Sequence, residues 1–153
     1  MDRDPIDPVG TELRVRKSFG QQRVMTLLGA TLSLVGDGRA EITLPCRADL
    51  GQQNGFVHAG VSTTIADSAG GYAALSLCRP GEDVLTSEFK MNFLAPAKGE
   101  SLLARGRVLK AGGKLFVCQV EVFAREGGRE TQCVAGLMTV VRMLPSSKAK
   151  PAD

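Results

Sequence analysis

The stretch AGVSTTIADSAGGYAALSLC, residues 59–78, decides the fold. It contains no proline, it is rich in residues that favour a helix, and it is longer than a typical strand, so we predict one long helix here. Its many alanines and glycines make that helix thin, which favours packing inside a sheet. Gly70 and Gly71 would each cost roughly 1 kcal/mol relative to alanine. Glycine is worth that cost where another element approaches the helix closely, so we expect such an approach here.

Two polar residues stand out in and beside this helix. Asp67 is the one acid within residues 59–78, and a carboxylate on an otherwise apolar helix needs a partner. His58, the only histidine of the chain, ends the loop GQQNGFVH, residues 51–58, directly before the helix. Backbone N–H groups at the start of a helix attract negative charge. Asp67 and His58 are therefore the main candidates for a functional site.

Each candidate also has a purely structural interpretation. Asp67 could be hydrogen-bonded to a neighbouring strand, and His58 could be a satisfied loop residue; from the residues alone the structural explanation of Asp67 is the better one. A single histidine excludes a site with two histidine ligands, and we predict no metal and no organic cofactor. The serine nearest to His58, Ser62, lacks the GxSxG context of a serine hydrolase.

The flanking sequence predicts strands. Leu32, Leu34, Ala40, Ile42 and Leu44 alternate around Gly36-Asp37-Gly38, which indicates a hairpin ended by Pro45. Helical spacing predicts a helix over about residues 13–28, with Gly29 as its C-cap. Four strands are predicted downstream, and in the first of them alternate residues share one face: the strands are 84–93, 101–110, 115–124 and 131–142, and the shared face is Leu85, Ser87, Phe89, Met91 and Phe93.

This element order predicts an α+β domain in which the long helix packs against one antiparallel sheet. The last three strands carry apolar residues on both faces, so we expect the helix on one face and another subunit on the other. We expect a single domain over residues 13–144, a flexible arm over 1–12 and a disordered tail over 145–153.

Composition narrows the class of protein. The net charge of +3, from 19 basic and 16 acidic residues, is too weak to argue for nucleic-acid binding. We expect no signal peptide and no membrane span, and therefore a cytoplasmic protein. The four cysteines form no CxxC pair, and we expect them to be reduced, buried thiols: Cys46, Cys78, Cys118 and Cys133.

The order of elements resembles the hotdog fold, in which a curled antiparallel sheet wraps a central helix. The segment QQNGFVHAG, residues 52–60, followed by Ala66-Asp67, is similar to the signature of the PaaI-like acyl-CoA thioesterases. The run LTSEFKMNFLAPA, residues 85–97, is similar to the next strand of that family. The resemblance covers roughly residues 20–142.

The resemblance implies roles for individual residues. Asp67 would be the catalytic carboxylate, and His58 with the amide of Ala59 would hold the thioester carbonyl. Thr86 would orient the attacking water, and Gln52 would lie near it. The tripeptide His58-Ala59-Gly60 has one glycine where many members have two, and Gln52 is not the asparagine of many relatives. Gly60 would belong to the catalytic group together with His58 and Ala59. We also expect the substrate to contact a wider set of residues: Asn54, Gly55, Val57, Val61, Tyr72 and Ser87.

Spacing adds an argument that does not depend on the resemblance. Asp67 follows His58 by nine residues, which is roughly 13 Å along one helix. The two side chains therefore cannot act on one carbonyl from the same chain. We predict a site shared across a twofold homodimer, with two dimers paired into a tetramer.

The predicted activity is hydrolysis of an aryl- or medium-chain acyl-CoA, with Asp67 as either the base that activates water or the attacking nucleophile. One alternative is a non-catalytic acyl-CoA-binding sensor. An enoyl-CoA hydratase is disfavoured, because no histidine follows Asp67. Four basic residues could meet the coenzyme A phosphates, although a solvated strand face is the better explanation: Arg105, Arg107, Lys110 and Lys114.

Overall fold

The computed structural model describes residues 7–145, and within them the chain forms three α-helices and six β-strands. The helices are α1 (Pro8–Gln21), α2 (Arg23–Leu28) and α3 (Ala59–Leu75). The strands are β1 (Thr31–Gly36), β2 (Arg39–Pro45), β3 (Asp83–Phe93), β4 (Ser101–Ala111), β5 (Leu115–Glu126) and β6 (Arg129–Met143). A short 3₁₀ turn, Ala48–Leu50, precedes the loop that leads into α3.

The helix predicted over residues 13–28 is two helices, and it starts earlier than expected. Asp7 caps α1 by accepting hydrogen bonds from the N–H groups of Val9 and Gly10, both at 3.1 Å. The chain leaves helical geometry at Gln22 and re-enters it in α2, which ends at the predicted C-cap Gly29 with a φ of 74°. Helical spacing continues across the break, which is why one helix was predicted.

The predicted arm and tail are described only in part. Residues 8–12, expected in a flexible arm, form the first turns of α1. Residues 1–6 and 146–153, where the rest of the arm and nearly all of the tail were predicted, lie outside the described residues.

The strands form one antiparallel sheet in the order β1-β2-β4-β5-β6-β3. The predicted hairpins β1–β2, β4–β5 and β5–β6 are confirmed by the register of their residues. The strand β3 pairs with β6 at one edge of the sheet rather than with β4, its neighbour in sequence. The long helix α3 packs mainly against β4, β2 and β5, so the α+β hotdog fold expected from the sequence is confirmed.

The thin helix is needed because sheet and helix backbones approach closely. A Cβ atom at Gly106 of β4 would overlap the backbone of Ala69 in α3. A Cβ atom at Gly70 would overlap the buried thioether of Met138 on β6 and would lie 2.9 Å from a methyl carbon of Val120. The space around Gly71 is open. The close approach inferred from the two glycines therefore holds for Gly70 and not for Gly71.

Two β-bulges change which residues face the helix. In β1 the register shifts between Leu32 and Leu34, so Leu32 and Val35 are buried while Leu34 is exposed. In β3 the shift lies between Thr86 and Glu88. The single shared face predicted for β3 is therefore wrong.

The bulge in β3 turns Thr86 towards the helix. Thr86 bonds to a side chain of α3, and Met91, five residues later, packs against the core. In an unbroken strand, residues an odd number apart point to opposite faces. The extra residue, Ser87, shifts the alternation of side chains by one position, so Thr86 and Met91 both face α3.

Candidate active site

Asp67 and Thr86 are brought together by α3 and the bulged half of β3. The Thr86 hydroxyl donates a hydrogen bond to Oδ1 of Asp67 at 2.7 Å. Both side chains are half-buried and line a cavity of about 430 Å³, which we call the Asp67 cavity. Its lining combines polar groups from α1, α3 and the start of β3 with a few apolar ones: Ser18, Gln21, Gln22, Asp67, Ser68, Gly71, Tyr72, Leu75, Asp83, Val84, Leu85 and Thr86.

The break between α1 and α2 supplies one wall of the Asp67 cavity. Gln22, the residue at the break, accepts a hydrogen bond at Oε1 from the Ser68 hydroxyl at 3.1 Å. Tyr72 lies edge-on to Phe19 of α1, with ring centroids 5.5 Å apart. Burial raises the pKa of Tyr72, although a hydrogen bond with Ser18 acts in the opposite direction. The phenol is therefore neutral and available for hydrogen bonding.

His58 and Ala59 form a second group of donors, at the start of α3. His58 is the N-cap, and its Nδ1 accepts a hydrogen bond from the Gly60 N–H at 2.9 Å. A neutral ring that accepts at Nδ1 carries its proton on Nε2. The Ala59 N–H has no acceptor among residues 7–145. The helix start thus presents two donors, the Ala59 amide and the imidazole Nε2–H.

The absence of a side chain at Gly60 allows the position of the His58 ring. A Cβ atom at Gly60 would lie 3.0 Å from Nδ1 of His58, so glycine allows the ring to close over its own helix start. Because the Gly60 N–H is occupied by His58, the open backbone donor is that of Ala59.

These donors face a second cavity, of about 570 Å³, which we call the His58 cavity. It contains the predicted residues Gln52 and Val57 together with Ser62, whose hydroxyl is buried and has no hydrogen-bond partner among the described residues. The remaining lining comes from the loop before α3, the end of β3 and β6: Gln53, Phe56, His58, Ala59, Phe93, Leu94, Ala95, Pro96, Ala97, Cys133 and Val134.

Four residues predicted to contact substrate lie outside both cavities. Asn54 and Gly55 form an exposed turn, in which Gly55 has a φ of 81° and the Asn54 N–H donates to the Gln52 side chain. Val61 is half-buried and packs against the core. Ser87 is the exposed residue of the β3 bulge.

The predicted site residues thus fall into two groups within one chain. Asp67, Thr86 and Tyr72 line one cavity, and His58, Ala59, Gln52 and Val57 line the other. Thr86 lies in the first half of β3 and Phe93 is its last residue, so the two cavities adjoin opposite ends of the same edge strand.

Sequence reasoning missed several polar residues of these cavities, among them Ser62, Ser68 and Gln22. Ser62 follows His58 by four residues, so helical spacing could have placed it beside the predicted histidine. Ser68 follows Asp67 directly, and adjacent residues of a helix do not face each other, so spacing gives no such signal for it. Gln22 carries no such signal, because its position depends on the break between α1 and α2.

Other nucleophiles and metal sites are not supported within the described residues. All four cysteines are free thiols, and three of them are buried. Burial raises the pKa of Cys78 and of Cys118 to about 11, and protonated thiols are poor nucleophiles. Residues 7–145 contain no cluster of three or more His, Cys, Asp or Glu side chains suited to a metal ion. No helix in this part of the chain is long and apolar enough to span a membrane.

The arginines considered for coenzyme A are occupied on the sheet surface. Arg105 pairs with Glu41 at 3.1 Å and with Glu130 at 2.8 Å, and it stacks on Phe123 at 4.6 Å from the ring centroid. Arg107 donates to Gln119 at 2.8 Å. Both lie on β4, three strands from the β3 edge, which supports the structural explanation.

Comparison with known proteins gives consistent matches. The thioesterase superfamily model matches residues 54–131. The crystal structure of a thioesterase family protein from Silicibacter pomeroyi is 41% identical, with a TM-score of 0.86 over 88% of this chain and 98% of that one. A Saccharolobus solfataricus protein provisionally named an esterase is 31% identical over 79% of this chain and 84% of its own length. The 1,4-dihydroxy-2-naphthoyl-CoA hydrolase of Escherichia coli is 28% identical over 75% of this chain and 85% of its own length.

Proposed function

The chain belongs to the thioesterase superfamily, and from that premise we propose that it hydrolyses an acyl-CoA thioester to a free acid and coenzyme A. The observation that carries the proposal is the 2.7 Å hydrogen bond from Thr86, which holds the Asp67 carboxylate in the lining of a cavity. The name of the Escherichia coli relative, a hydrolase of an aromatic acyl-CoA, supports the same substrate class.

The Asp67 carboxylate has one oxygen available for chemistry. Thr86 occupies Oδ1, which leaves Oδ2 to take a proton from water as that water attacks the thioester carbonyl carbon. The tetrahedral intermediate then expels the coenzyme A thiolate. The proton that Asp67 took from water passes to this thiolate. In the alternative route Oδ2 attacks the carbonyl carbon itself and expels the thiolate, and water then hydrolyses the resulting anhydride.

Charge that develops on the carbonyl oxygen needs hydrogen-bond donors. The Ala59 N–H and the Nε2–H of His58 are available at the start of α3, where the helix dipole also favours negative charge. Gly60 contributes indirectly, because its N–H holds the histidine ring in place.

We infer that the donors and the carboxylate of one site come from two copies of the chain. The edge of β3 carries unpaired backbone groups, and a twofold pairing of two β3 strands would be antiparallel. Such a pairing sets the Thr86 end of one strand beside the Phe93 end of the other, so the Asp67 cavity of one copy meets the His58 cavity of its partner. Apolar side chains exposed on the sheet, among them Leu115 and Leu137, offer a surface for pairing two dimers.

The test is thiol release from aryl- and fatty acyl-CoAs by the wild type, by Asp67→Asn and by the control Asp37→Asn. Asp37 lies in the exposed β1–β2 turn at a φ of 49°, a conformation that asparagine tolerates. We expect Asp67→Asn to lower kcat by about 10²–10⁴-fold and Asp37→Asn to leave it unchanged.

Two outcomes would contradict the proposal. Full activity of Asp67→Asn would remove the carboxylate from the mechanism. Binding of acyl-CoA without turnover by the wild type would support the sensor alternative. For an active enzyme, a single turnover in ¹⁸O-water separates the base route from an anhydride that water hydrolyses at the Asp67 carbonyl carbon, because only that anhydride leaves ¹⁸O in the Asp67 side chain.

A further inference from the structure

The turn in the loop before α3 contains a chemically reactive pair of residues. Asn54 and Gly55 are exposed and lie outside both cavities. An asparagine side chain can react with the backbone nitrogen of the next residue, and glycine obstructs this reaction least because it has no side chain. The other asparagine of the chain, Asn92, is followed by the bulky Phe93. Asn54 is therefore the asparagine best placed to react.

The reaction needs only water. The Gly55 nitrogen loses its proton to water or hydroxide and attacks Cγ of Asn54, and the side-chain nitrogen leaves as ammonia. The product is a five-membered cyclic imide. Water then opens the imide at either carbonyl carbon, which gives aspartate or isoaspartate. In isoaspartate the main chain runs through the β-carbon, so it is longer by one atom.

The surroundings of Asn54 and Gly55 leave the reaction few obstacles. The Asn54 side-chain amide has no hydrogen-bond partner among residues 7–145, and the space where Gly55 would carry a Cβ atom is open. Two hydrogen bonds close the turn, from the Gly55 N–H to the Gln52 carbonyl at 3.1 Å and from the Asn54 N–H to the Gln52 side chain. Exposed turns open locally at little cost in free energy, and opening frees the Gly55 nitrogen.

The β1–β2 turn shows the opposite arrangement around a similar pair, Asp37 and Gly38. The Gly38 N–H donates to the buried Ser76 hydroxyl at 2.9 Å. A Cβ atom at Gly38 would lie 3.1 Å from Leu77, so this turn packs against the residues that follow α3. Opening it has to break a buried hydrogen bond, and this protects the Gly38 nitrogen.

Isoaspartate at position 54 would lengthen the main chain inside a tightly bonded loop. The Gln52 N–H donates to the Phe56 carbonyl at 2.8 Å, and the Gly55 N–H donates to the Gln52 carbonyl. One more main-chain atom between these bonds displaces Gln52, which lines the His58 cavity. The modification would therefore disturb the loop that ends at His58.

We propose that Asn54 is a site of spontaneous deamidation, through a cyclic imide with Gly55, and that the isoaspartyl product loosens the loop before α3. The modification does not depend on the proposed thioesterase function. The loss of activity that follows rests on that function, because the loosened loop carries Gln52 and His58.

The first experiment incubates the folded full chain at mildly alkaline pH and follows its peptides by mass spectrometry. Trypsin separates Asn54 from Asn92, because Lys90 lies between them. Isoaspartate is identified by methyl transfer from labelled S-adenosylmethionine, catalysed by an isoaspartyl methyltransferase. We expect deamidation at least about tenfold faster at Asn54 than at Asn92, because a paired strand opens far less readily than an exposed turn.

The matched control is Asp37→Asn, which places asparagine before glycine in the protected β1–β2 turn. In this folded variant we expect position 37 to react about tenfold more slowly than Asn54, since the Gly38 N–H is held by Ser76. In urea, where neither turn is formed, the two rates should become similar. Similar rates at both positions in the folded variant would show that the structure of the turns does not govern the reaction.

The effect on the loop is measured in two ways during the same incubation. Thiol release by each protein is compared with that of its own fresh sample, with Asn54→Gln as the control, because glutamine would need a six-membered imide that forms much more slowly. We expect the wild type to lose activity several-fold as isoaspartate accumulates, and Asn54→Gln to keep its own. Amide hydrogen exchange over residues 50–58 should become faster in the aged wild type alone.

The failures of the two proposals are distinguishable. An Asn54 that stays intact in the folded chain, while it reacts in urea, would overturn the modification site. Isoaspartate that leaves hydrogen exchange over residues 50–58 unchanged would overturn its effect on the loop. A fresh wild type inactive on every acyl-CoA tested would overturn the thioesterase function, and both the deamidation and the hydrogen exchange would still be measured.

Discussion

At the scale of single residues, the Asp67–Thr86 pair is the most informative contact. A threonine that donates to one carboxylate oxygen fixes the rotamer of the aspartate and leaves its second oxygen directed elsewhere. A carboxylate needed only for stability would gain from having both oxygens satisfied. The arrangement therefore supports a role for Asp67 in chemistry rather than in packing.

We expect Thr86→Val to lower kcat by about 10- to 100-fold, because a hydrogen bond to a charged group contributes about 1.5–3 kcal/mol. Thr86→Ser keeps the hydroxyl and should keep most of the activity. The measurement is steady-state thiol release, with thermal melting of all three proteins as the control. A valine variant with wild-type kcat, or a serine variant as impaired as valine, would show that the hydroxyl does not act through Asp67.

Residue chemistry made part of this site predictable. Asp67 and His58 stand out in the sequence because each is isolated, one as an acid on an apolar helix and the other as the only histidine. Gln22 could not be found in that way. Its neighbours are ordinary, and its place in the Asp67 cavity depends on how α1 ends and α2 begins.

At the scale of elements, α3 illustrates two different uses of glycine. Gly70 is packed against Met138 and Val120, whereas Gly71 faces the open Asp67 cavity. The same residue type at adjacent positions thus has opposite consequences for substitution.

We expect Gly70→Ala to lower the free energy of unfolding by about 1–3 kcal/mol through overpacking. Gly71→Ala should raise it by about 0.5–1 kcal/mol, because alanine favours the helix and nothing obstructs its methyl group. Urea denaturation of the two variants beside the wild type measures both changes. Destabilisation by Gly71→Ala, or tolerance of Gly70→Ala, would contradict this account of the helix.

Strand periodicity predicted where β3 lies but not which way its residues point. Alternation in residues 84–93 is regular, so nothing in the pattern marks the bulge at Ser87. The bulge is visible only once β3 pairs with β6, since two residues of one strand must then oppose one residue of the other. In β1, likewise, nothing in the sequence pattern marks the bulge that leaves Leu34 exposed.

At the scale of the whole molecule, the separation of the two cavities is the reason why the proposed mechanism includes a dimer. The length of α3 between His58 and Asp67 could be predicted from the sequence, and that length is the basis for predicting a second copy. The order of strands could not be predicted, because every strand of an antiparallel sheet has similar local patterning. The position of β3 at the edge of the sheet is what would give a second copy a place to bind.

Complementation between inactive variants tests the shared site. In a mixed dimer of Asp67→Asn and His58→Ala chains, one site carries both substitutions and the other carries neither. Random reassembly after unfolding and refolding an equal mixture should therefore restore about a quarter of the wild-type activity. The measurement is thiol release by the mixture beside each refolded variant alone. Activity no greater than the mean of the separate variants would place both residues of a site in one chain.

The pairing of β3 with β6 also has a temporal consequence. A ribosome makes β3 before β4 and β5, yet the neighbour of β3 in the sheet, β6, is the last strand of the domain to be made. Until β6 is made, a nascent chain holds β3 with both of its edges open, and long-range pairings of this kind form slowly. The chain is therefore most exposed to misassociation late in translation, when β3 has no strand on either side.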